Sequence, residues 1–294
     1  MIMSVLKAYP RGLTRTARSL KMVSLLYGVV LFTGLVFLFP FLATLKEASG
    51  FSMAVQKMME GFDYTVYTEL LRFHGEGLKT MMTVALWLIL FFVIVSVFLA
   101  GGILGYLVKD KKHFSLSGFF ADCGQWFFRF LRWGFYYLVL QGLVAALVFV
   151  PAGILLVHRF KAGMPEDQLF HTALWFMILY LILSFWFVII GDYTKIGLVA
   201  GDSKKVFREF RMAVKFVVRH FFATYALYLL LLIVPVLTMF LFVKFIGSGD
   251  PATAGGVVLL FLLQQLYIWL RGGFRVWVLA GQAEYFKMQK DQGK

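Results

Sequence analysis

Apolar positions dominate six stretches of the chain, at 22–44, 81–108, 133–157, 169–190, 220–243 and 254–270. A helix needs about 20 predominantly apolar residues to cross a bilayer, and each stretch meets or approaches that length. The second is long enough to tilt or to protrude. In the sixth, the apolar run resumes beyond Arg271 at 276–280, so this helix is expected to continue past two arginines. The pattern predicts an all-α integral membrane protein with six transmembrane helices, forming a single polytopic domain over 1–294. The first run is too long for a signal-peptide core and no small-x-small cleavage site follows it, so it reads as a retained span.

Between the spans the pattern changes to a helical period with two faces. In 203–219 the polar stripe is Lys204, Arg208, Arg211, Lys215 and Arg219, and the apolar stripe is Val206, Phe210, Val214 and Val217. Steps of three and four residues mark one amphipathic helix. In 114–132, Ser115, Asp122, Gln125, Arg129 and Arg132 face away from Phe119, Phe120, Cys123, Trp126, Phe127 and Phe130. Near the N-terminus, Pro10 suits a first helical turn, with Arg11, Arg15 and Arg18 on one face after it. Helices of this kind are expected to lie in the headgroup plane, rings inward and bases outward. The headgroup contacts expected from them are Arg18, Lys21, Arg129, Arg132, Arg208, Arg211, Lys215 and Arg219.

The interfacial segments recur with a proline. Arg18 and Lys21 precede Pro40 by 22 and 19 residues, Arg129 and Arg132 precede Pro151 by the same intervals, and Lys215 and Arg219 precede Pro235 by 20 and 16. The strings before the prolines are LVFLF, ALVFV and LLLIV. The repeat predicts three helical hairpins, each introduced by a cytoplasmic amphipathic helix. The outer loop 45–80 carries Val55, Met58, Met59, Tyr64, Tyr67, Leu70 and Leu71 at helical spacing. It is expected to form one or two short amphipathic helices, or a surface for a protein partner.

Composition agrees with a lipid solvent: 61% of residues are hydrophobic, 15% are charged and the mean hydropathy is +0.82. A soluble domain carries roughly 25% charged residues. The net charge of +14 is explained by placement. With six spans, the N-terminal segment, 109–132, 191–219 and 271–294 share one side and hold 22 bases and 7 acids, while the opposite loops hold 7 bases and 8 acids. The positive-inside rule puts both termini in the cytoplasm, facing an anionic leaflet. No folded basic domain exists to bind nucleic acid. The one cysteine, Cys123, excludes an internal disulfide and reads as a small buried hydrophobe.

Polar residues within spans are costly in lipid and mark candidate chemistry. Gln264, Arg271, Arg275 and Gln282 recur at intervals of 7, 4 and 7, which places them on one helical face expected to point into the bundle. Asp192 is the expected counter-charge for Arg271 or Arg275; the alternative is that both arginines snorkel to headgroups. Gln141 either lines a polar path with Gln264 or joins two helices by hydrogen bonds. Gly101 and Gly105 read as a close-packing pair. His158 and His171 flank Glu166 and Asp167 without the short-spaced ligand pair a metal site needs, so no metal is expected there. HExxH, GxSxG and P-loop signatures are missing, no two carboxylates share a span, and no cofactor motif occurs. The protein is therefore not expected to be an enzyme.

Three stretches carry a resemblance: FLAGGIL in the second span, SGFFADCGQWFFRFLRW after it, and GDYTKIGLVAGDSKKVFREFRMAVKFVVRH after the fourth. They resemble a broad group of uncharacterised six-span bacterial proteins, similar to the membrane domain attached to some glycerophosphodiester phosphodiesterases. The resemblance implies a bacterial inner-membrane location and paired helices with cytoplasmic amphipathic segments. The phosphodiesterase catalytic domain has no counterpart in these residues, so no catalytic residue carries over. Two functions follow as expectations. One is a non-enzymatic accessory or assembly subunit that binds lipid or a partner through its basic face or outer loop. The other is a transporter or channel for a small, anionic or amphiphilic solute, using the face with Gln264, Arg271 and Arg275.

Overall fold

A computed structural model describes residues 2–49, 64–111, 113–247 and 254–292. Among them the regular elements are eight helices: α1 (Ile2–Arg18), α2 (Leu20–Ser49), α3 (Tyr64–Val108), α4 (Leu116–Lys161), α5 (Glu166–Ala200), α6 (Val206–Arg219), α7 (Phe221–Gly247) and α8 (Ala254–Gln292). Five helices are long and apolar enough to cross a membrane, and six if the bent pair α1 and α2 makes one span. The chain is thus an all-helical, multi-pass membrane protein.

Helix α8 runs 39 residues without interruption, so the last helix passes Arg271 and Arg275 as expected. Several other boundaries differ from the expected ones. The amphipathic stretch 114–132 is not a separate interfacial helix: α4 continues from it through the span for 46 residues. At 1.5 Å per residue that is about 69 Å, far beyond a hydrocarbon core of roughly 30 Å. Ser115 starts this helix, its Oγ accepting from the Gly118 amide at 3.2 Å. Pro10 lies inside α1 instead of in its first turn, because the helix begins at Ile2. In the outer loop, 64–80 form the start of α3 in place of a short capping helix, while 50–63, with Val55, Met58 and Met59, lie outside the described residues. Helix α6 is a separate amphipathic helix as expected, ending before His220.

Contacts group the chain into two compact units, Ser24–Ser96 and the remainder. The smaller unit holds most of α2 and most of α3. In the larger unit α4 packs on α5, α5 on α6, α7 on α8, and α1 on α8. Its core gathers toward one end of the spans, with Ile103, Leu104 and Leu107 of α3 and Leu227 and Leu231 of α7 buried. Buried residues of α5 run from Ile189 to Val199, and those of α8 cluster from Val276 to Tyr285. In α4 they are densest from Phe119 to Trp133. The packed part is therefore the end at which spans meet amphipathic segments, and most apolar span surface is left for lipid.

Small residues allow that packing. A Cβ at Gly102 would lie 2.6 Å from Cys123 Sγ and from the Phe119 ring, and one at Gly105 would lie 2.7 Å from Asp122. The end of α3 thus meets the start of α4 with no side chain between, and Cys123 is fully buried there. A Cβ at Gly12 would come 2.7 Å from the Gly281 amide nitrogen, seating α1 on α8; one at Gly281 would come 2.9 Å from Leu231 of α7. Helix α6 meets α5 where a Cβ at Gly197 would lie 3.2 Å from Glu209 Oε2. Close approach of this kind gives dispersion contact where lipid supplies no hydrophobic drive.

Candidate functional site

The apolar faces of the amphipathic segments are covered in part by protein, with Phe120 left exposed. Phe119, Cys123, Trp126 and Phe130 of α4 are buried, as are Val5 and Ala8 of α1 and Val206, Ala213 and Val217 of α6. The expectation of rings turned toward lipid is corrected for these residues, and Phe119, Cys123 and Trp126 pack on Gly101 and Gly102 at the end of α3. The basic faces remain outside. Arg18, Lys21, Arg132, Arg208, Arg211, Lys215 and Arg219 are exposed. None of these seven forms an ion pair among the described residues. Arg211 lies over the Phe207 ring, 4.5 Å from its centroid.

Arg129 differs. Expected at headgroups, its side chain is 14% exposed, its Nη1 donates to Asp202 Oδ1 at 2.7 Å, and its guanidinium stacks on Trp126 at 4.5 Å. Two neighbours in the protein satisfy it, so it does not belong to the free basic face. Asp202 is held below its ordinary 3.8 by the Arg129 hydrogen bond, with Lys109 and Lys204 adding to the effect. A second arginine does similar work. Arg15 of α1 pairs with Asp110, contacts Glu284 of α8 at 2.9 Å and donates to the Leu107 carbonyl at 2.6 Å. Asp110 and Asp202 both have left-handed backbone, φ 55° and 42°, just past the ends of α3 and α5. Aspartate tolerates that conformation better than most side-chain-bearing residues. Asp122, 4% exposed, is neutralised by Lys111 at 2.6 Å and Lys109 at 3.4 Å.

The sequence reading missed Arg15, Asp110, Asp202 and Glu284 as joints. A signal was available: Gly105 and Gly197 each precede an aspartate by five residues, and lysines follow in VKDKK and GDSKK.

The polar span residues are only partly gathered. Asp192, Arg271 and Arg275 line one open cavity of about 300 Å³ with Lys195 and Tyr228. Asp192 does not pair with either arginine; its Oδ1 accepts from Lys195 Nζ at 2.8 Å. Lys195 sits one turn away on the same helix and reaches it without help from α8. The face of α8 also does not turn inward as a whole. Gln264, Arg271 and Arg275 are exposed, whereas Gln282 is 1% exposed with neither amide atom hydrogen-bonded. Gln141 stays apart from this cavity. Its Nε2 donates to Tyr137 Oη at 2.7 Å and its Oε1 accepts from Ser184 Oγ at 3.1 Å, tying α4 to α5.

No family model, curated protein or solved structure matches the chain.

Proposed function

We propose that this is a non-enzymatic protein of a bacterial inner membrane, with both termini cytoplasmic, that binds anionic lipid through a fixed basic face and acts as an accessory or assembly subunit. The carrying observation is the seven exposed bases, without ion-pair partners among the described residues, on segments held in place by buried apolar residues such as Phe119, Trp126, Val206 and Val217. Each base near an anionic leaflet is worth about 1 kcal/mol. A rigid array of them orders lipid more effectively than a flexible tail. The three-hairpin organisation and the kinship with glycerophosphodiester phosphodiesterase membrane domains belong to the same reading. Contacts of α4 with α5 and of α7 with α8 support two of the hairpins. The test is reconstitution in vesicles of mixed phosphatidylcholine and phosphatidylglycerol, followed by analysis of the lipid that stays with the protein on extraction. Enrichment of phosphatidylglycerol that falls on Arg18→Gln with Arg132→Gln supports the reading. Retention in proportion to the bulk mixture refutes it.

A second reading, transport of a small anion, is favoured by the cavity between Asp192, Lys195, Arg271 and Arg275. It requires anion flux in proteoliposomes that Arg275→Gln abolishes.

A further inference from the structure

A cavity of about 870 Å³ lies between the end of α5, helix α6 and the end of α8. Its basic wall is Lys204, Lys205, Arg208, Lys215, Arg219 and Lys290, against a single acid, Glu209. None of these bases has an ion-pair partner among the described residues. Like charges gathered around one space repel each other until an anion enters.

The lining also has an apolar part. It consists of Met212, Phe216 and Phe286, with the Phe216 and Phe286 rings 5.2 Å apart. Two polar groups of the lining lack partners among the described residues. Tyr193 is 1% exposed and its hydroxyl has no hydrogen bond; the Gln289 Nε2 is likewise buried and unbonded. A buried donor left unmade costs about 1–3 kcal/mol. Two such donors beside six bases are groups poised for acceptor oxygens. The space holds far more than a lone anion, in the range of sites that enclose a whole small molecule, about 300–1,000 Å³.

We propose that this cavity is a site for a phosphate ester on an amphiphile: the phosphoryl oxygens meet the bases and the Tyr193 hydroxyl, and the apolar part rests on Phe216 and Phe286. The site deepens the proposed function and rests on it for placing this face at the anionic leaflet. A phospholipid headgroup and a soluble phosphate ester share the recognised chemistry.

Native mass spectrometry of the full chain, released from detergent, separates the sources. The probes are phosphatidylglycerol, phosphatidylcholine with the same chains, and inorganic phosphate. The expected result is one phosphatidylglycerol held per chain. Arg208→Gln with Lys215→Gln should weaken it tenfold or more, and Tyr193→Phe several-fold. Arg18→Gln with Arg132→Gln should leave this single lipid in place. Tyr193→Phe removes an unpaired hydroxyl, so it should not lower thermal stability, which separates binding from folding. Retained phosphate without retained lipid upholds the site and makes its occupant soluble. Equal loss in both double variants, or loss in neither, overturns the site and leaves the diffuse lipid enrichment of the proposed function standing. If vesicle enrichment fails while the single lipid responds to the cavity variants, the proposed function falls and the site remains.

Discussion

At Gly12 a single methyl group would come 2.7 Å from the Gly281 backbone nitrogen, so helix α1 has no room to accept it without moving. Gly12→Ala is expected to destabilise by about 1–3 kcal/mol, the usual range for overpacking. Gly142→Ala, with nothing within 4 Å, should be neutral or stabilising by up to about 1 kcal/mol. Thermal unfolding of both in one detergent checks the contrast. Gln141 bridges Tyr137 and Ser184, and Gln141→Leu should cost about 0.6–2 kcal/mol in the same assay. Asp202 sets a pH dependence. Its folded value lies below 3.8 because Arg129 binds the carboxylate, so its stabilisation is complete above that value and fades as pH falls through the lower folded one. An acid titration of unfolding should show this loss in the native protein and not in Asp202→Asn. Residues of this kind were unevenly legible in the sequence. Gln141 was, since a polar residue in a span has few alternatives, and Cys123 was, since a lone cysteine is most often a small buried hydrophobe. The Arg15 and Arg129 partners were not, since they are about 70 or more residues away in sequence.

Helices were the most legible scale. Apolar runs fixed the existence of every spanning helix in the described residues, because lipid forces backbone hydrogen bonds to close within each helix. Their ends were not legible. Hydropathy stops at the bilayer edge, but α4, α5 and α8 continue into the basic region, where packing on glycines holds them. Helix α1 shows what holds an end. Arg15 joins it to Leu107 at the end of α3 and to Glu284 of α8, and the Trp277 indole donates to the Tyr9 carbonyl at 3.3 Å. Arg15→Met leaves a half-buried carboxylate unpaired and should cost about 1–3 kcal/mol. Hydrogen exchange should then rise across α1, while Arg11→Met, at an exposed position, leaves it unchanged.

For the whole molecule, the basic segments organise the rest: 1–21, 109–132, 191–219 and 271–294 also carry the arginine joints with Asp110, Asp202 and Glu284. The candidate site was half visible beforehand. The stripes on α6 and at the start of α4 stood out by their period, whereas their docking on Gly102, Gly105 and Gly197 depended on contacts between segments that hydropathy treats as separate. The lipid-binding account holds only if these basic segments face the cytoplasmic leaflet. Labelling of single cysteines in a Cys123→Ala background, with a thiol reagent that cannot cross the membrane, measures that directly. Gly163→Cys, in the turn between α4 and α5, should label in intact cells, and Ser203→Cys, between α5 and α6, should label only after the membrane is opened. Labelling of both from the same side would contradict the account.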